Sequence, residues 1–101
     1  ASLYDAYHKI EPVVKRNVAK VQADIVGPVC ESGDFFAKSR EVDHLERNDL
    51  VSIFSSGAYG FTMASNYNSR CRPAEVLVDK DKVKLVRARE TFEDLIKGET
   101  I

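Results

Sequence analysis

Ala19-Lys20-Val21-Gln22-Ala23-Asp24-Ile25-Val26-Gly27-Pro28-Val29-Cys30-Glu31-Ser32-Gly33-Asp34 sets the class of the whole chain. From Ala19 onward one parity (Ala19, Val21, Ala23, Ile25) is apolar and the other (Lys20, Gln22, Asp24) is polar. That two-residue period is the mark of a half-buried strand. Gly27-Pro28 ends the run, because proline has no amide hydrogen to donate and glycine supplies unusual backbone angles. The chain leaves the sheet there and carries a thiol and a carboxylate, Cys30 and Glu31, on the loop that follows. Loops held by a rigid scaffold are where binding and catalytic groups tend to sit.

Outward from this point the chain reads as short strands divided by turns. The alternating run begins near Val13, after Pro12 breaks or offsets an irregular strand over Leu3 to Ile10. Phe35-Phe36-Ala37-Lys38 reads as a short helical turn, and Ser39 to Asp49 as a charged loop. Leu50-Val51-Ser52-Ile53-Phe54 is a short strand. Gly57 to Ser65 reads as a turn and a short helix, and Asn66-Tyr67-Asn68-Ser69-Arg70 as a turn. Glu75-Val76-Leu77-Val78 and Val83 to Arg89 flank the polar Asp79-Lys80-Asp81-Lys82, which is a hairpin signal. Thr91, followed by acids and ending in Lys97-Gly98, marks a capped C-terminal helix. The predicted class is mainly β: an antiparallel Greek-key barrel or sandwich with short connecting helices.

Composition narrows the function classes. The sequence has 101 residues, 44% hydrophobic and 31% charged, the balance of an ordinary soluble domain with one modest core. A net charge of -1 makes no electrostatic case for nucleic acid or an anionic membrane. There is no run long enough to span a bilayer and no signal-peptide pattern at the N-terminus, so the expectation is a cytoplasmic protein. The thiols Cys30 and Cys71 do not amount to a disulfide framework. His8, Cys30, His44 and Cys71 lack metal-ligand spacing, so no metal is expected. Neither a nucleophile elbow nor a Gly-rich phosphate loop of Walker or dinucleotide type is present.

The residues that could carry chemistry each have a plainer reading. A thiol, whose ordinary pKa lies near ~8.5, can deliver a proton near neutrality if its surroundings tune it, and an adjacent carboxylate can pair with a cationic ligand group. Equally, Cys30 could be a small core residue beside a solvated Glu31. Tyr59, between Ala58 and Gly60, could let a ligand approach its phenol or could plug a core. Arg70 and Arg72 could bind an anion or form surface ion pairs.

Taken together, five segments are recognisable. Leu3-Tyr4-Asp5-Ala6-Tyr7-His8, Gly27 to Asp34, Gly57-Ala58-Tyr59-Gly60, Ser65 to Arg70 with Arg72-Pro73-Ala74-Glu75-Val76, and Arg89 to Leu95 resemble, in order, the C-terminal domain of the diaminopimelate decarboxylase family. The resemblance covers essentially all of residues 1–101. It implies an alanine-racemase-like, pyridoxal-phosphate-dependent lyase in which a (β/α)8 barrel precedes this β domain, and which releases carbon dioxide from meso-diaminopimelate to give L-lysine. On that likeness Tyr4 contacts the carboxylate region of the substrate, and Tyr59 reaches the cofactor or the substrate. Cys30 and Glu31 enter the active site of the second subunit of a homodimer. There Cys30 helps to reprotonate the substrate carbon after decarboxylation, and Glu31 holds the distal ammonium. Asn66, Tyr67 and Asn68 shape the interdomain wall.

Pyridoxal phosphate and its lysine belong mainly to the barrel in this family, and the family's substrate-gripping arginine lies just ahead of Leu3. Cys71 stands where the family often has proline, a peripheral change. The resemblance therefore implies that residues 1–101 alone are inactive and bind no cofactor, and that they expose Tyr4, Phe35, Phe36, Tyr59, Phe61 and Tyr67 as an apolar patch, with self-association or marginal stability as the expected result. Two other functions stay open: a same-fold decarboxylase acting on ornithine, lysine or another basic amino acid, and a stand-alone protein-binding β module. The Cys-Glu-Ser order favours diaminopimelate, since ornithine enzymes typically place aspartate after the cysteine.

Overall fold

A computed structural model describes residues 5–100. The chain divides after Gly57 into two units. The first holds β1 (Ile10–Pro12), β2 (Lys20–Val26), β3 (Phe35–Asp43) and β4 (Val51–Ile53). Helix α1 (Gly57–Met63) opens the second, which continues with a 3-10 turn (Tyr67–Ser69), β5 (Glu75–Asp79), β6 (Lys82–Arg87) and helix α2 (Phe92–Leu95). Among the described residues the strands pair antiparallel, as β1 with β4, β2 with β3 and β5 with β6. The class is thus mainly β with short helices, as the sequence predicts. The strands form three two-stranded ladders, and a Greek-key closure is not seen among the described residues.

The longest ladder is where the sequence reading fails. Residues 35–43 are one nine-residue strand, not a helical turn followed by a loop. The cause is a bulge. Ala23 opposes Arg40 and Ile25 opposes Ala37, so β3 spends one residue more than β2 over this interval. Ser39 takes the left-handed conformation (φ 48°), and its amide is held by Asp24 Oδ1 at 2.7 Å. The extra residue reverses the parity: Phe35 and Ala37 face inward before it, Arg40 and Val42 after it. No two-residue period survives across residues 35–43, although each half has one.

Three boundaries also move. Leu3 and Tyr4, the start of the predicted strand over Leu3–Ile10, lie outside the described residues; residues 5–9 are not strand, Asp5 has a positive φ of 51°, and β1 begins at Ile10. Pro12 does not break that strand. It sits inside β1 opposite Val51, where the missing N–H falls on a strand hydrogen-bonded along one side only. The alternating run from Val13 becomes a strand only at Lys20, with Ala23 and Ile25 half-buried. The predicted strand at Leu50–Phe54 and helix after Gly57 are present. So is the hairpin, although Asp79 and Lys82 pair and leave a two-residue turn. Helix α2 ends at Leu95, and its start is fixed by a capping box in which Asp94 Oδ2 accepts the Thr91 N–H at 2.7 Å.

Among the described residues the buried apolar side chains are Ala37 and Val42, both on β3. Hydrophobic side chains elsewhere are largely exposed, including Val76, Val78, Val83 and Leu85 of the β5–β6 hairpin. Of the aromatics predicted to be exposed, Phe36, Tyr59, Phe61 and Tyr67 are so, and Phe35 is half-buried.

Candidate functional site

The loop between β2 and β3 carries Cys30 and Glu31 outward, and its own polar groups close it at the base. The Gly27 amide donates to the Asp34 carbonyl at 2.8 Å, continuing the ladder by one rung. The Asp34 carboxylate then turns back under the loop and accepts the Val29 N–H at 3.0 Å. A Cβ at position 27 would collide with that carboxylate, so a larger residue here would push Asp34 off the Val29 N–H. Asp34 N–H donates to the Glu31 carbonyl at 3.0 Å and Phe35 N–H to the Gly33 carbonyl at 3.0 Å.

At the rim of this closed loop Cys30 is exposed, as is Cys71 in the other unit. The reading of Cys30 as a small core residue is therefore set aside. Glu31 is exposed too, and its Oε1 accepts the Gly33 N–H at 3.0 Å and the Ser32 hydroxyl at 3.5 Å. These bonds from its own loop hold the carboxylate at the rim, so it is oriented before any ligand arrives. A carboxylate can accept about four hydrogen bonds over its two oxygens, which leaves capacity for a cationic group.

The second unit presents Tyr59. Helix α1 carries it with its side chain exposed, and at Gly57 and Gly60 an added Cβ would meet nothing within 4 Å. The phenol thus stands in open space rather than plugging a core. Tyr67, on the 3-10 turn, is also exposed; Asn68 beside it has φ 58°, a left-handed conformation that asparagine tolerates better than most residues. Arg72 proves to be an ion-pairing residue: its Nη1 lies 3.4 Å from Glu90 Oε1 and 2.9 Å from Asn66 Oδ1. Asn66 in turn donates to the Arg70 carbonyl at 3.0 Å and to the Glu90 carboxylate at 3.3 Å. Arg70 is exposed.

Tyr4 lies outside the described residues. Among those described, no three His, Cys, Asp or Glu side chains gather as a metal site, and no helix is long and apolar enough to cross a membrane. Sequence reasoning missed the closing role of Asp34 and the Asn66–Arg72–Glu90 cluster. The eight-residue span from Gly27 to Asp34 was visible, but not that a side chain at one end fills the space a Cβ would take at the other. Glu90 is 18 residues from its partner Arg72, and no local pattern links them.

The chain is thus an antiparallel β module whose first unit carries an exposed thiol and carboxylate on the β2–β3 loop and whose second unit, taken by itself, carries an exposed tyrosine on α1. The chain belongs to the pyridoxal-dependent decarboxylases, matching the description "Pyridoxal-dependent decarboxylase, C-terminal sheet domain" over residues 1–57. It is similar to diaminopimelate decarboxylase of Neisseria meningitidis serogroup A, with 54% identity over 98 residues that cover 97% of this chain and 24% of that protein. With the same-named protein of Aquifex aeolicus it shares 50% identity over 95 residues, 94% of this chain and 23% of that one. In structure it resembles diaminopimelate decarboxylase from M. jannaschii in co-complex with L-lysine, with a TM-score of 0.89 and 45% identity over 99% of this chain and 23% of that one. The chain spans about a quarter of the length of these relatives.

Proposed function

We propose that residues 1–101 are the C-terminal β domain of a diaminopimelate decarboxylase, a lyase that converts meso-diaminopimelate to L-lysine and carbon dioxide. The observation that carries this reading is the β2–β3 loop, closed at its base by Asp34 and carrying Cys30 and Glu31 exposed at its rim. The likeness over nearly the whole chain to proteins of that name, one of them in complex with L-lysine, supports the substrate class.

In this reading the domain works with a barrel domain of the same longer polypeptide, and its loop enters the active site of a second subunit. Pyridoxal phosphate, held mainly by the barrel, supplies the electron sink for the bond to the departing carboxylate. The residues here fit an accessory part in holding it: Tyr59 offers one hydroxyl in open space beside two glycines, and the sequence has no Gly-rich phosphate loop. Tyr4 binds the substrate near its carboxylate. Glu31 receives the distal ammonium on a carboxylate already oriented by Gly33 and Ser32, which lowers the ordering cost of binding. Cys30, its neighbour, donates a proton to the substrate carbon after carbon dioxide leaves, and is recharged from solvent.

Replacement of a positioned proton donor costs about 10²–10⁴ in rate. In the complete polypeptide Cys30→Ala is expected to lower kcat by that factor, with KM for meso-diaminopimelate changed only slightly. A kcat within twofold of wild type would remove Cys30 from the chemistry. The other reading, a protein-binding module, has no need of a thiol beside an oriented carboxylate.

A further inference from the structure

Helix α1 cannot hold its own position. It is seven residues long, with glycines at its first and fourth positions, and glycine in a helix costs roughly 1 kcal/mol relative to alanine. Arg72 Nε donates to the Ala64 carbonyl just past its end at 3.4 Å, and the contact from the helix itself is the Phe61 ring. The guanidinium of Arg87, on β6, lies 3.6 Å from the centre of the Phe61 ring, and that of Arg72 lies 5.7 Å from it. Each arginine is itself tied to a carboxylate: Arg87 Nε donates to Glu75 Oε1 across the hairpin at 2.8 Å, and Arg72 Nη1 lies 3.4 Å from Glu90 Oε1. An arginine whose donors are engaged in the guanidinium plane keeps its face available for stacking.

Phe61 follows Tyr59 by two residues. At about 100° per residue their side chains leave the helix roughly 200° apart, so the face that Phe61 turns to the arginines is opposite the face that carries Tyr59. Tyr59 is accordingly the more exposed, at 58% against 37%. We propose that Arg87 and Arg72 are positioning residues: by gripping Phe61 they set the rotation of α1 and hence the direction in which Tyr59 offers its phenol to a bound phosphate-bearing cofactor or substrate. This rests on the reading of Tyr59 given above.

The test uses the complete, cofactor-loaded polypeptide labelled with meta-fluorotyrosine, in which the Tyr59 fluorine resonance is the one missing from Tyr59→Phe. Phe61→Leu keeps an apolar side chain without a ring. Arg87→Lys keeps the charge opposite Glu75 without a planar face. Each is expected to displace the Tyr59 resonance by more than its linewidth, to leave that of Tyr7 in place, and to weaken cofactor retention by up to about five-fold, the loss of one ordinary hydrogen bond. Arg87→Lys preserves the hairpin ion pair, so it decides the matter should Phe61→Leu fail to fold. An unmoved Tyr59 resonance in Arg87→Lys overturns the proposal. If Tyr59→Phe itself retains cofactor as wild type does, the ligand-facing reading of Tyr59 falls, and the resonance still decides whether the grip orients it.

Discussion

Replacing Asp34 by alanine should open the loop that carries Cys30 and Glu31 without unfolding the strands beneath it. The Asp34 carboxylate accepts the half-buried Val29 N–H at 3.0 Å. Hydrogen bonds to charged groups are worth about 1.5–3 kcal/mol, and a donor left without a partner pays its desolvation cost. Because the group is only partly buried, the lower part of that range applies, about 1.5–2 kcal/mol, or roughly a 10–30-fold rise in the opening equilibrium. The Gly27–Asp34 rung is made by backbone atoms and should survive. Amide hydrogen exchange measured residue by residue reads this directly: in Asp34→Ala, Val29 is expected to exchange about 10–30 times faster. Val21 and Val42, paired deeper in the β2–β3 ladder, should keep their wild-type rates. Asp34→Asn retains one acceptor oxygen and should lose less. If Val29 exchanges at an unchanged rate in Asp34→Ala, the carboxylate does not close the loop and the preorganisation assigned to Glu31 loses its support.

Two further outcomes test the fold. Ser39 sits at φ 48°, where an L-residue pays about 1–2 kcal/mol that glycine does not; Ser39→Gly should be neutral or stabilising by up to that amount in a urea titration, and Ser39→Val, whose β-branch fits this conformation worse than serine, should be destabilising. Equal midpoints for the two variants would argue against the bulge. Glu11 is bonded to Lys9 at 2.6 Å, and Lys15 lies 3.6 Å from it. The Lys9 hydrogen bond, with added attraction from Lys15, holds the Glu11 carboxyl below the ordinary carboxylate range. A depressed folded-state pKa means that its stabilisation is present above the unfolded value of about 4.3 and fades as pH falls through the lower folded value. Wild type and Glu11→Gln should therefore differ in melting temperature at neutral pH and converge in acid. A difference that grows on acidification would reverse the assignment.

The strand ending at Gly27-Pro28, the loop beyond it and the β5–β6 hairpin were legible in the sequence because each rests on local rules: alternation, proline's missing donor, and paired β-branched runs about a short polar turn. β3 was not, because Ser39 inserts a residue and exchanges the inward and outward parities midway, so Arg40 falls where a pattern reader expects an apolar side chain. Arg40 tolerates that place by donating to the His8 carbonyl and stacking on Tyr7, 4.2 Å from the ring centre. Both partners are more than 30 residues away in sequence. The candidate residues, taken unit by unit, show the same division. Cys30, Glu31 and Tyr59 stand out by residue type and neighbours, whereas Asp34, Phe61, Arg72 and Arg87 act through contacts that only the folded chain reveals.

The most direct test of the central claim is carbon dioxide release by the complete polypeptide with pyridoxal phosphate, from meso-diaminopimelate, L-lysine and L-ornithine side by side, for wild type and Glu31→Ala. Wild type is expected to prefer meso-diaminopimelate clearly, with kcat/KM for it falling about 30–150-fold in the variant, the equivalent of about 2–3 kcal/mol for a lost charged hydrogen bond. A preference for ornithine or lysine, or a Glu31→Ala variant as selective and active as wild type, would contradict it.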